Sequence, residues 1–250
     1  MTQKKKIYFA SDQHFGAPTA EKSKLREQKF IQWLDIVKKD AEVIFLLGDL
    51  FDFWFEYKTV VPKGFVRVLG KLAEIRDSGI PIHFFVGNHD LWMEDYFEKE
   101  LNIPVYHEPK EFTFGDKTFL IGHGDGLGPG DLGYKRMKKV FTNPLCKWLF
   151  RWLHPDIGVG LATYLSVKNK LISGDDDVVF LGEEKEWLVQ YSKEVLKTKH
   201  FNYFVFGHRH LPITLEMGKN SEYVNLGDWI SYFTYGVFDG EKMEVLKFEE

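Results

Sequence analysis

Cysteine is almost absent from this sequence: Cys146 stands alone among 250 residues. One thiol can form neither an internal disulfide nor a cysteine-rich zinc site. A chain without disulfides suits a reducing compartment. Long apolar runs are missing too, and no stretch approaches the roughly 20 residues of a membrane-spanning helix. The opening residues, MTQKKKIYFASDQH, hold too short an apolar run for the core of a secretory signal. These absences set the expectation of a cytoplasmic protein. There is also no internal repeat and no low-complexity segment. What is present is ordinary globular material, 44% hydrophobic and 28% charged, which excludes a disordered or collagen-like chain. Aromatic residues make up 16%, enough for a bulky core with some left over for a binding surface.

The net charge of −4 hides an asymmetry. Residues 132 to 174 hold eight Lys and Arg against the single acid Asp156, a net +7, so the rest of the chain carries −11. A basic block on an acidic body points to a local anionic partner. The acidic body and the lack of a base-stacking motif argue against nucleic acid.

Five apolar runs, IYFA, VIFLL, IHFFV, TFLI and YFVF, recur along the chain. They are short, rich in Ile, Val, Phe and Tyr, and without polar alternation, as expected of strands buried on both faces. Helices are expected over residues 21 to 38, with Leu25, Phe30, Trp33, Leu34 and Val37 on one face, and over 62 to 78, opening at Pro62. Strands alternating with helices give an α/β fold. Turns at Gly218-Lys219-Asn220 and Asp239-Gly240 make the later part of the sheet antiparallel or mixed. Residues 130 to 172 interrupt the pattern as a helical insertion rather than an independent domain. Within it Leu145, Trp148, Leu149, Trp152 and Leu153 form an apolar stripe, with Lys147 and Arg151 opposite and Phe150 off the stripe. The stripe is expected either to pack inward on the domain or to serve a lipid. Gly174-Asp175-Asp176-Asp177 reads as a hinge back to the main domain.

The chemistry lies at the strand ends. The runs are followed by Asp12-Gln13-His14, Gly48-Asp49-Leu50-Phe51-Asp52, Gly87-Asn88-His89-Asp90, Gly122-His123-Gly124-Asp125 and Gly207-His208-Arg209-His210. In open α/β sheets, ligands bind beyond the carboxyl ends of the strands. Any one cluster is an ordinary turn composition, but five at strand ends are not. Carboxylate, imidazole and amide donors without thiolates suit Mn²⁺, Fe or Zn²⁺. Several ligands with a shared carboxylate suggest two ions about 3.5–4 Å apart. The His-Glu-x-x-His helix of a mononuclear zinc protease is missing.

This series resembles the calcineurin-like metallophosphoesterase superfamily, with all five motifs present in order. The resemblance implies a four-layer sandwich of two mixed sheets flanked by helices, with a helical cap. It also implies two divalent ions, Mn²⁺ expected. One ion would take Asp12, His14, Asp49 and His210, and the other Asp49, Asn88, His123 and His208. His89 would sit beside the scissile phosphate, while Asp52 and Asp90 would orient ligands and strands. The insertion, with Asp131, Tyr134, a basic run and Asn143-Pro144, is similar to the UDP-2,3-diacylglucosamine pyrophosphatases. That narrower resemblance implies cleavage of a UDP-linked acylated sugar at the inner leaflet of a membrane, with no obligate protein partner. Asn88, His89, Asp131, Tyr134, Ser166, Lys168 and Lys170 become candidate substrate contacts. Asp131 is equally a candidate helix N-cap, and the other three insertion positions 166, 168 and 170 a solvated face. Well-known members of the narrower family carry Arg where this chain has His89. The rival readings are a phosphoesterase of nucleotides, dinucleoside polyphosphates or phosphomonoesters, and a non-catalytic scaffold. The scaffold would be expected to have lost ligands, and all seven are present.

Overall fold

The computed structural model describes residues 5–130, 132–162, 164 and 179–249. Eleven strands among them form two mixed sheets. The first runs β11-β10-β1-β2-β3-β4 and the second β5-β6-β7-β9-β8. Four of the five apolar runs become β1 (Lys6–Ala10), β2 (Ala41–Leu47), β3 (Ile82–Phe85) and β7 (Tyr203–Phe206), each in parallel pairing. The fifth is β6 (Lys117–Ile121), parallel to β7 and antiparallel to β5 (Lys110–Phe114).

The lack of polar alternation has a direct cause. Ile7, Phe9, Val43, Phe45 and Phe85 meet Phe119, Ile121, Val205 and Val224 between the sheets. Their neighbours Tyr8, Ala10, Ile44, Leu46 and Phe84 face a helical layer with Phe30, Trp33, Leu34, Leu72 and Ile75. On the outer face of the second sheet, Phe204, Phe206 and Tyr223 pack with Leu188 and Val189 of α6 (Trp187–Leu196). The order of layers is therefore helix, sheet, sheet, helix. The later strands are mixed as expected: β10 (Thr234–Phe238) and β11 (Met243–Lys247) are antiparallel. Lys219 and Asn220, with φ of 54° and 59°, make the tight turn between β8 (Pro212–Gly218) and β9 (Ser221–Leu226).

Helix α1 (Ala20–Val37) begins where Thr19 Oγ1 accepts the Lys22 amide at 3.3 Å. It buries Phe30, Trp33, Leu34 and Val37, but Leu25 is 62% exposed and lies off the packed face. Helix α2 (Val66–Asp77) starts four residues after Pro62, because Gly64 holds φ +120°, which no helix accommodates.

The insertion opens with α4 (Leu132–Phe141) and α5 (Pro144–Arg151), after the short α3 (Tyr96–Leu101). Asn143 caps α5, its Oδ1 accepting the Leu145 amide at 2.9 Å, and Pro144 fills the first turn, where no amide is needed. The orientation of α5 reverses the inward reading. Leu145, Trp148, Leu149 and Trp152 are 62, 52, 54 and 75% exposed. The residue off the stripe makes the docking contact: Phe150 packs on Phe55 and Trp92 at 4.6 and 4.8 Å between ring centroids. Lys147 lies 3.5 Å from Glu94, and Arg151 also pairs with Glu94. Cations on the face expected to meet solvent thus hold the helix to the body, because a carboxylate awaits them there.

Candidate metal centre

Strands β1, β2 and β3 are parallel, as are β6, β7 and β9, so each group delivers its carboxyl ends to a single edge. The following loops are stitched together by backbone bonds. His14 N donates to Asp49 O at 2.8 Å, and Gly207 N donates to His123 O at 2.9 Å. Asp12, His14, Asp49, His208 and His210 all have positive φ, between 46° and 67°. Such backbone is uncommon outside glycine, and Asp, Asn and His are the side chains most often found there.

Close backbone approach explains two glycines. A Cβ on Gly87 would lie 2.2 Å from Asp49 Oδ1, and one on Gly207 would lie 2.6 Å from Asp12 Oδ2. Each carboxylate then spends one oxygen on the backbone and presents the other to the centre. Asp12 Oδ2 accepts His208 N at 2.9 Å, and Asp49 Oδ1 accepts His89 N at 2.8 Å. Asp90 spends both oxygens, on the amides of Gly87 (2.6 Å) and Leu50 (3.0 Å), which makes it a tie between the β2 and β3 loops. Burial and the Asp49 charge push its carboxyl up to about 7.

The remaining oxygens face imidazoles. Asp12 Oδ1 is 3.2 Å from His210 Nε2 and 3.8 Å from His14 Nε2. The two imidazole nitrogens are 3.1 Å apart. With Asp49 these groups form a set of four whose ligand atoms lie within 4.8 Å of one another. Asn88 Oδ1 lies 3.1 Å from His123 Nε2 and 2.9 Å from His208 Nδ1. Asp49 Oδ2 stands between the groups, 3.5 Å from His14 Nε2 and 3.6 Å from His123 Nε2. The structure thus brings together all seven residues expected from the sequence. Their N and O donors, four residues buried and Asn88, His208 and His210 half-buried, fit divalent cations in type and number.

The carboxylates and imidazoles polarise one another. Burial by itself would raise the carboxyls, but His210 and His14 hold Asp12 well below the usual range, and His123, His89 and His14 lower Asp49. Burial likewise opposes charge on His123, yet Asp49, Asp12 and Asp125 lift it to about 9. His123 Nδ1 donates to Leu47 O at 2.6 Å, which turns Nε2 toward the centre.

His89 is beside the first set, its ring edge-on to His14 at 4.7 Å and its Nδ1 donating to Asp52 O at 2.9 Å. Asp52 Oδ1 lies 3.3 Å from His14 Nδ1, as expected of an orienting group. The Tyr134 hydroxyl donates to Asp125, which Lys138 also reaches at 2.7 Å. Tyr134 therefore anchors α4 to the loop that carries His123. Asp131, Ser166, Lys168 and Lys170 lie outside the described residues, as does the 174–177 hinge.

Three groups escaped the sequence reading. Asp228 lies 3.6 Å from His210 Nδ1 and accepts the amides of Ile230, Ser231 and Tyr232 through its other oxygen. Its signal was visible: β9 ends at Leu226 and is followed by Gly227-Asp228, a sixth strand end of the same type. Arg26, buried on α1, donates to His14 O at 2.6 Å. Glu186 pairs with Arg209 at 2.9 Å. The last two are single charges within helical or loop sequence and carry no local signature.

A family model described as calcineurin-like phosphoesterase matches residues 5–212. The chain is 36% identical, over 98% of both chains, to a Porphyromonas gingivalis protein named UDP-2,3-diacylglucosamine hydrolase. Proteins of the same name from Shewanella sp. and Histophilus somni are each 25% identical. They cover 88% of both chains in the first case, and 90% of this chain and 92% of the relative in the second.

Proposed function

The chain belongs to the calcineurin-like phosphoesterase family, and from that premise we propose that it is a two-metal hydrolase of UDP-2,3-diacylglucosamine. The products would be UMP and 2,3-diacylglucosamine 1-phosphate. The two-metal part is supported by the place of Asp49 Oδ2, within 3.6 Å of an imidazole nitrogen from each donor group, and the substrate by the 36% identity to a protein named UDP-2,3-diacylglucosamine hydrolase. Asp12, His14, Asp49 and His210 would hold one ion, and Asp49, Asn88, His123 and His208 the other. Mn²⁺ is the expected ion, and Fe and Zn²⁺ suit the same donors. When bound, such ions neutralise phosphoryl charge and lower the pKa of water toward neutrality.

The chain's own groups complete the chemistry. His89 has Nδ1 engaged by the Asp52 carbonyl, so Nε2 is the atom that would meet a phosphoryl oxygen. Only the imidazolium carries a proton on both nitrogens, and in that form Nε2–H would be a fixed donor to charge as it develops, without reorganising. Two buried carboxylates that stay ionised through the neutral range keep the site ready for cations.

The lipid half of the substrate is supported by the insertion, which we read as a cap over residues 130–172. Its apolar stripe is exposed rather than packed, and Tyr134 fixes its first helix within 6.5 Å of the His208 ring. Exposed apolar side chains in a block that also carries Arg136 and Lys139 suit acyl chains and an anionic membrane surface. Among the described residues, no helix is long and apolar enough to cross a membrane.

The test is a substrate panel with purified protein and Mn²⁺. UDP-2,3-diacylglucosamine should be cleaved with a far higher kcat/KM than UDP-glucosamine, a dinucleoside polyphosphate or a simple phosphomonoester. Equal kcat/KM for the acylated and unacylated sugars would remove the lipid from the reading. Turnover of the small substrates alone would replace it with another phosphoesterase activity.

A further inference from the structure

Arg209 lies between His208 and His210, whose side chains both belong to the donor groups. Its own side chain goes elsewhere. Nε donates to Glu186 Oε2 at 2.9 Å, and Nη2 reaches Glu186 Oε1 at 3.3 Å and Val179 O at 2.6 Å. The pair is largely dry: the side chains of Arg209 and Glu186 are 13% and 5% exposed. Glu186 is also the N-cap of α6, and its Oε1 accepts the Leu181 amide at 3.2 Å. One carboxylate therefore gathers three pieces of chain: the 207–210 loop, the 179–182 segment and the start of α6.

The next residue reaches a fourth. Trp187 presses so closely on the entry to the insertion that a Cβ on Gly128 would lie 2.4 Å from its carbonyl oxygen. A Cβ on Gly130 would lie 2.0 Å from its indole. The chain entering the insertion and the segment leading into α6 thus meet at Glu186-Trp187. Arg209 joins that meeting point to the loop holding His208 and His210.

We infer that Arg209 and Glu186 are positioning residues: the pair fixes the His208–His210 loop and couples it to the base of the helical insertion. The inference rests on the two-metal reading. Its physical basis is that His208 and His210 hold left-handed backbone, with φ of 67° and 48°, and need outside contacts to keep it. A two-pronged guanidinium–carboxylate contact is directional, so it fixes the loop's orientation as well as its distance.

The experiment measures Mn²⁺ binding to metal-stripped protein by calorimetry, for wild type, Glu186→Gln, Arg209→Lys and Arg209→Met. Glu186→Gln keeps the shape and removes the charge, and Arg209→Lys keeps the charge and removes the fork. Both conservative variants should fold by circular dichroism and bind Mn²⁺ about tenfold more weakly, as loss of a group supporting metal ligands typically causes. Adding Glu186→Gln to Arg209→Met should weaken binding little further, because the two act as one unit. Limited trypsin digestion should cut the insertion of Glu186→Gln faster than that of wild type. Folded Glu186→Gln and Arg209→Lys with wild-type Mn²⁺ affinities would overturn the coupling while leaving the metal centre in place. A wild type that binds no Mn²⁺ would overturn the metal reading and the inference with it.

Discussion

Asp, Asn and His serve this site twice. They supply the N and O donors, and they are the side chains that best tolerate the left-handed backbone imposed by sharp turns at strand ends. The five positive-φ residues Asp12, His14, Asp49, His208 and His210 meet both demands. Asp49 is the most consequential, since its Oδ1 holds the His89 amide while Oδ2 faces both donor groups. Asp49→Asn keeps the size and one carbonyl oxygen but removes the charge. The expected outcome is a folded protein whose Mn²⁺ stoichiometry drops below two and whose kcat falls by about 10²–10³-fold. That range is typical of losing a group that stabilises transition-state charge. Metal analysis alongside a kinetic assay checks it, and two tightly bound ions in the variant would refute the shared role of Asp49. These residues were legible in the sequence because each follows an apolar run. Arg26 and Glu186 were not, since a buried charge looks like any other until its partners are known.

Among the elements, α5 shows why periodicity finds a face without saying where it points. Leu145, Trp148, Leu149 and Trp152 do form a stripe, and the stripe faces outward. Phe150 instead enters the aromatic cluster of Phe53, Phe55 and Trp92. Two substitutions separate the roles. Phe150→Ala should lower stability by about 1–2 kcal/mol, less than the 3–5 kcal/mol of a fully buried Phe. Trp148→Ser with Trp152→Ser should change stability by only about 0.5 kcal/mol each, as exposed positions do. The same double variant should bind anionic vesicles more weakly and show a raised KM for the diacylated substrate. Denaturant unfolding and vesicle sedimentation test the two halves. A large stability loss in the double Trp variant would mean that the stripe packs inward after all.

At the scale of the whole molecule, an ionisable ring borders the apolar layer between the sheets. His83 stacks on Phe45 at 5.0 Å, and its Nδ1 meets the Tyr106 hydroxyl at 2.9 Å. Burial pushes its pKa down to about 4, from about 6.5 in an unfolded chain. Between those values the unfolded state binds more protons, so stability falls as pH drops from about 6.5 toward 4 and is fully present above that window. Denaturant midpoints at pH 5 and pH 7 should therefore differ less in His83→Phe than in wild type. An unchanged difference would show that His83 does not drive the acid sensitivity. Charge tells a related story at this scale. Lys138, Lys147 and Arg151 of the basic block are ion-paired with Asp125 and Glu94. The block's outward positive charge is therefore smaller than its composition suggests.

The sequence by itself determined the α/β class, the strands and the polar clusters at their ends, among which the family resemblance singled out seven candidate ligands. Each depends on short-range pattern: unbroken apolar runs for strands buried on both faces, then polar residues where the chain leaves the sheet. Two sheets and a shared Asp49 were implied by the family resemblance; tertiary structure alone decided which strands pair within each sheet and that Oδ2 is the Asp49 oxygen between the donor groups. It also set the outward stripe of α5 and the Arg209–Glu186 contact. Those features depend on which distant surfaces meet. A carboxylate such as Glu94, far from α5 in sequence, can attract the charged face that local periodicity assigns to solvent.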